Sequence, residues 1–253
     1  IPTSDGIIHG AGNELYNNAS EFYRAENGQP IGYFWGYKTA GIFQNTQEID
    51  EWRAAGNGIL QSNVQPGDVR FVDRNHDGQI NDKDKVNLGN GTPDFTLGLN
   101  LGFVYKGFDF SIVANGAFGQ QIVQSYRNHT RPTPNYTTAI LDRWHGEGTS
   151  NRIPRVTDSN INYQFSDLFI QNGDYLRLST LTLGYDFAKL FKGKAVSQAR
   201  LYFQVQNLFT ITGYDGMDPE IGFGSSNNSW VSGLDYGYYP RPRTVLVGVN
   251  LKF

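Results

Sequence analysis

Alternation of large apolar residues with mostly small or polar ones over 95–118 restricts this chain more than any other feature. Phe95, Leu97, Leu99, Leu101, Phe103 and Tyr105 alternate with Thr96, Gly98, Asn100, Gly102 and Val104. Successive side chains of a strand point to opposite faces, so this period predicts a strand with one apolar face. Lys106-Gly107 is a two-residue hairpin signal. Beyond it Phe108, Phe110, Ile112, Ala114 and Phe118 alternate with Asp109, Ser111, Val113, Asn115 and Ala117. The same period returns at 198–211, through Ala199, Leu201, Phe203 and Val205, and at 241–253, through Val245, Val247, Val249, Leu251 and Phe253. In 174–187, Leu176 and Leu178 are in one phase and Leu181, Leu183 and Tyr185 in the other, which predicts a β-bulge near Ser179-Thr180. The aromatic stretch 30–43 reads as a sixth strand. Thirty glycines and 14% aromatics against 18% charged residues fit an all-β chain with long loops.

The connections between these strands alternate in length. Residues 44–94, 119–173 and 212–240 are long; 106–107 and 188–197 are short. In an up-and-down meander, alternate connections lie at opposite ends of the sheet. All long loops then leave from one end, as in outer-membrane barrels with short periplasmic turns and long extracellular loops. Structureless loops beyond about 15 residues are uncommon in soluble domains. No run of about 18 apolar residues exists for a transmembrane helix, whereas barrel strands need apolar residues only at alternate positions. The expected fold is therefore an antiparallel up-and-down transmembrane β-barrel, of which about six strands are present. A soluble β-sandwich explains the alternation equally well, but not the loop asymmetry. The reading predicts Phe95, Leu97, Leu99, Leu101 and Phe110 facing lipid, with Asn100, Asp109, Ser111 and Asn115 facing the lumen. The start at Ile1 reads as internal, predicting a piece of a longer protein.

Four stretches carry a family resemblance. They are Gly28 to Tyr37 with Gly41-Ile42-Phe43-Gln44, Pro66-Gly67-Asp68 with Asp73 to Ile80, and Gly173 to Leu178 with Leu183-Gly184-Tyr185. The fourth is Asn207-Leu208-Phe209-Thr210 with Asp218-Pro219-Glu220 and the terminal Phe253. In this order they resemble the C-terminal part of TonB-dependent outer-membrane receptors of the SusC/RagA type. The resemblance implies that residues 1–253 are the C-terminal portion of a barrel of about 22 strands, located in the bacterial outer membrane. It implies energy-dependent import of a glycan or peptide with a SusD-like lipoprotein lid, and no enzyme activity. The plug and the segment that meets TonB would come from the rest of the receptor, since none of the plug is here.

Asp73-x-Asn75-x-Asp77-Gly78-Gln79-Ile80-Asn81-x-x-Asp84 has calcium-loop spacing. Oxygen ligands fall at positions 1, 3, 5 and 12, with glycine at 6 and the Gln79 carbonyl at 7. The alternative is an Asx-rich turn held by side-chain-to-backbone bonds. Trp144, Trp230, Tyr236, Tyr238 and Tyr239 lie in the long loops, where aromatic faces suit a sugar, a peptide or the lid. They suit packing of the loops equally. Tyr136 and Tyr163 belong to the same aromatic set.

Other chemistry finds little purchase. Lys+Arg 21 against Asp+Glu 24 leaves no basic excess for nucleic acid. Without cysteine there are no disulfides, thiolate metal sites or thiol nucleophiles. His9, His76, His129 and His145 form no zinc pattern. There is no GxSxG elbow and no phosphate loop, and nothing singles out a pair among Glu147, Asp167 and Asp215. Gly222 to Ser226 reads as a flexible loop, and the Asn128 and Asn135 sequons as composition. Two functional classes remain: an importer segment, and a calcium-stabilised surface β-domain that binds polysaccharide.

Overall fold

The computed structural model describes residues 5–10, 21–124, 137–157, 160–188, 196–221, 230 and 232–253. His129, Tyr136, the Asn128 and Asn135 sequons and the Gly222–Ser226 loop lie outside the described residues. The chain divides into two compact units. One comprises Thr92–Gln120, Asn172–Ile221 and Tyr238–Phe253; the other comprises Ile1–Gly91, Gln121–Gln171 and Gly222–Gly237.

The first unit is a five-stranded antiparallel sheet. Its strands are Phe95–Tyr105, Phe108–Phe118, Tyr175–Asp186, Gln198–Thr212 and Thr244–Lys252. They pair in sequence order, as a meander does. The first hairpin runs from Phe95↔Phe118 to Tyr105↔Phe108. Lys106 and Gly107 both turn at positive φ, 49° and 93°, which is the turn whose twist suits a two-residue hairpin. Register places Leu101, Ile112, Leu181 and Val205 in one row, and Phe103, Phe110, Leu183, Phe203 and Val247 in the next. Paired residues share a face, so one side of all five strands is apolar, and most of its large side chains are exposed.

The bulge is where the phase change placed it. Both partners of the third strand shift register between Leu178 and Thr180, and Asn207 takes φ 50° in the neighbouring strand. The extra residue returns Leu176 and Leu178 to the face already held by Leu181 and Leu183.

The reading of 30–43 as a sixth strand of this sheet is corrected. That stretch forms two short strands, Tyr33–Tyr37 and Thr39–Ile42, in two separate sheets of the other unit. Tyr33, Phe34 and Tyr37 are all buried, on both faces of their strand. Consecutive aromatics without alternation suit a core strand covered on both sides, not one with a lipid side and a wet side. Five strands form an open sheet. Phe95–Tyr105 and Thr244–Lys252 are its edges, and no closed barrel is present among the described residues.

The second unit is built from the chain before residue 44 together with the long connections. Tyr33–Tyr37 pairs with Tyr23–Ala25 and Lys85–Gly89, Thr39–Ile42 pairs with Val69–Phe71, and Leu234–Asp235 runs parallel to Gln121–Gln124. One core cluster joins Phe22, Tyr23 and Phe34, from the chain before residue 44, with Val123 and Phe165 of the second long connection and Leu234 of the third. A second joins Tyr37, Val69, Phe71 and Ile80. The described residues of these intervals are folded structure rather than loops. The one α-helix described, Thr46–Ala54, is capped by Asn45, whose Oδ1 accepts from the Glu48 N–H at 2.9 Å.

Candidate functional site

Residues 73–84 close on themselves through backbone N–H groups. Asp73 Oδ2 accepts from Gly78 N at 2.8 Å and from Gly58 N at 3.2 Å. Asn75 Oδ1 accepts from Asp77 N, Asp77 Oδ1 from Gln79 N, and Asp77 Oδ2 from Asn75 Nδ2, all at 2.9–3.0 Å. At the far end, Asp84 is fully buried. Its Oδ1 accepts from Arg74 N at 2.9 Å and its Oδ2 from Asn81 N at 2.8 Å. Ile80 packs into the second core cluster, so the loop is anchored rather than draped. Burial first, then the Asp82 and Asp84 carboxylates, push the Tyr37 phenol up to about 12. Among the described residues, no three His, Asp or Glu side chains form a ready-made cage.

The neighbouring Asp68, of the Pro66-Gly67-Asp68 stretch, is a buried hub. Arg155 donates from Nε to its Oδ1 at 2.7 Å and from Nη2 to its Oδ2 at 3.3 Å. Asn162 Nδ2 donates at 2.8 Å, and the Asn162 Oδ1 accepts from Val69 N at 3.0 Å. One carboxylate thus ties the 66–71 segment to two points about ninety residues further along. A buried charge with a bidentate guanidinium and an amide is satisfied; its role is to hold these segments together.

A polar cleft of about 250 Å³ lies beside Gln44, Glu48, Arg70, Ser150 and Asn151. Its donors are already committed. Gln44 Nε2 donates to the Ile42 and Ser150 carbonyls, while its Oε1 accepts from Trp144 Nε1 and Gly148 N. Arg70 donates twice to the Ala40 carbonyl. Small and internally satisfied, the cleft falls short of a ligand pocket.

In the sheet unit the charged groups gather on the face opposite the apolar one. Arg177, 3% exposed, donates from Nη2 to Asp218 at 2.6 Å, from Nη1 to Glu220 at 3.0 Å and from Nε to Thr210 Oγ1 at 3.0 Å. Arg241 donates to the other Glu220 oxygen at 2.8 Å. Nearer the hairpin, Arg200 reaches over Gly184 to Asp109, with Nε at 2.7 Å. A Cβ at position 184 would collide with both side chains, which is why the intervening strand carries glycine there. Sequence spacing gave no sign of these pairs.

The five aromatics proposed for contact are divided between the two units. Trp144 lies against Gly67 and bonds Gln44 through its indole N–H. Trp230 packs edge-on to Tyr23 at 4.8 Å, and with Tyr236 it covers the first core cluster. Tyr238 and Tyr239 belong to the sheet unit; the Tyr239 ring is 86% exposed. Glu147 and Asp167 are spent on structure, bonding Asn45 Nδ2 and the Thr39 backbone and hydroxyl respectively.

No protein-family model matches the chain. Among curated proteins it is similar along its whole length to TonB-dependent receptor P3 of Formosa agariphila, 34% identical over 265 residues. It is also similar to the TonB-dependent receptor SusC of Bacteroides thetaiotaomicron, 31% identical over 197 residues and 77% of this chain. The chain spans 25% of the first relative and 18% of the second. Among solved structures, the RagAB peptide transporter superposes on 98% of the chain and 25% of its own, with a TM-score of 0.66 and 19% identity. The same importer in its closed-closed state gives a TM-score of 0.63 at 20% identity, covering 91% of this chain and 24% of its own.

Proposed function

The chain belongs to the TonB-dependent receptors, similar along its whole length to one of them and over 77% of it to another, and on that premise we propose that it is the C-terminal portion of an outer-membrane nutrient importer of the SusC/RagA type. One observation carries the reading: a meander of five strands whose single apolar face has exposed large side chains on every strand. Keeping such a face in water costs about 25 cal/mol per Å² of apolar surface, whereas hydrocarbon accommodates it. The opposite face carries the ion pairs of Arg177 and Arg200, groups that need a wet lumen or a protein plug. The two edge strands pair with strands from the remainder of the receptor, because about eight strands is the fewest that close a membrane barrel.

The plug and the TonB-contacting segment belong to that remainder as well. A SusD-like surface lipoprotein is the partner, and a glycan or peptide is the cargo; the RagAB relative is described as a peptide transporter. The named relatives are receptors and transporters, which supports a role without bond-making chemistry. Tyr239 is the best placed of the five aromatics to meet a lid or cargo, since its ring is open. The polysaccharide-binding β-domain would need the apolar faces packed on one another, and the open face favours the importer.

The test is genetic. Cells lacking the full receptor should lose growth on one glycan or peptide class as sole carbon source and regain it when the receptor is restored. The receptor should fractionate with the outer membrane, and the purified receptor–lipoprotein complex should leave cargo chemically intact. Unchanged growth on every glycan and peptide, or recovery of the receptor outside the outer membrane, would overturn the reading.

A further inference from the structure

We infer that residues 73–84 form a calcium site that holds the second unit together. The observation that points to an ion is one atom. Asp73 is 1% exposed, its Oδ1 is buried, and that oxygen has no hydrogen-bond partner. Its twin, Oδ2, accepts from Gly78 N across the loop, so the carboxylate faces inward with one oxygen engaged and one left over. A buried carboxylate oxygen without a donor or counter-ion is expensive, and native structures rarely leave one so. No cation pairs with Asp73, Asp77 or Asp84 among the described residues. Asp73 and Asp84 are both buried, so their charges are offset only by backbone N–H groups.

The surrounding donors select the ion. Asp73 Oδ1, Asn75 Oδ1, Asp77, Asp84 and the Gln79 carbonyl are all hard oxygens, with no sulfur or imidazole among them. Gly78 turns at φ 78°, at the sixth position, where a twelve-residue calcium loop must bend sharply. Among the described residues no three His, Asp or Glu side chains already lie together as a metal group, so calcium would have to draw the loop carboxylates in against their mutual repulsion. Asn75 Oδ1 and Asp84 Oδ2 each accept a single N–H and keep a lone pair for a cation. Asp77 would exchange the Asn75 amide for the ion. Because Ile80 packs against Tyr37, Val69 and Phe71, closing the loop on calcium stabilises that core cluster directly.

The experiment uses the full receptor in detergent, stripped with a chelator and titrated with calcium, magnesium or zinc while binding and thermal unfolding are followed. Calcium should bind and raise the unfolding midpoint and the protease resistance of residues 56–84, with magnesium and zinc at least tenfold weaker. Asp73→Asn keeps an acceptor for Gly78 N and Gly58 N but loses the charge and the free oxygen. It should fold and bind one calcium fewer than the parent. Asp77→Asn, at an exposed position, should fold in any case and weaken the same site at least tenfold. Loss of that one equivalent in Asp73→Asn, with at least tenfold weaker binding in Asp77→Asn, supports the site. A parent indifferent to calcium, or variants that retain its stoichiometry and affinity, would overturn it. None of these readouts depends on import.

Discussion

Arg177 shows what a single residue does in a chain with few charges. It projects from the third strand onto the polar face, where only 3% of it is exposed, and two carboxylates and a hydroxyl take up its guanidinium. Removing one partner of a buried pair costs far more than the pair contributes, because the survivor stays buried and uncompensated. Asp218→Ala should therefore destabilise the folded receptor by about 3 kcal/mol, near the low end of the range for broken buried pairs because Glu220 and Thr210 remain. Asp218→Asn keeps an acceptor and should cost less than half as much. Heat-dependent migration of the purified receptor on gels measures both, and equal effects of Ala and Asn would refute the charge argument. The sequence held these residues in view as parts of recognisable stretches, but nothing in a separation of 41 residues says that Arg177 meets Asp218. The same is true of Asp68 and Arg155, 87 residues apart. The Asp73–Asp84 loop was legible because its groups are neighbours in the chain, and short Asx side chains bond the backbone two or three residues away.

Strands were legible to the extent that solvent imposes a period on them. A strand with one apolar side and one polar side must alternate, and the 95–118 hairpin does so apart from Val104 and Val113 on its polar side. Even the bulge at Ser179 left a trace, because an inserted residue switches the phase of everything after it. Where a strand is covered on both faces the period vanishes, so the sequence of Tyr33–Tyr37 marks a strand without showing which sheet it joins. The Thr46–Ala54 helix carried a signature in Asn45 and Glu48, three residues apart, but its weak apolar stripe buries only Ile49. The two faces of the sheet make a direct prediction. Leu99→Arg places a charge on the apolar face and should cost about 2–4 kcal/mol if it sits near the bilayer midplane. Asn100→Arg, one residue on and on the opposite face, should be nearly neutral. Folding yield into lipid vesicles compares them, and similar losses for both would mean that neither face contacts lipid.

At the scale of the molecule, the long connections are the part that sequence could locate but not describe. They stand out as three intervals too long for ordinary loops, at 44–94, 119–173 and 212–240, with aromatics that suit packing of one loop on another. Their apolar residues have no period because they pack in three dimensions against partners from the other intervals. Phe22, Tyr23 and Phe34 come from the chain before the sheet, Val123 and Phe165 from the second interval, and Leu234 from the third. A core assembled this way is complete only when the last contributor is in place, so the unit should open and close as one. Leu234 is fully buried, and Leu234→Ala should cost about 2–5 kcal/mol through lost contact and the cavity it leaves. Limited proteolysis of the full receptor, read by mass spectrometry, tests whether that cost is shared. If the connections form one cooperative unit, cleavage should rise within residues 22–91 and 121–171 as well as around 234. Cleavage confined to the neighbourhood of 234 would mean that each connection folds separately, and the common core would then carry no cooperativity.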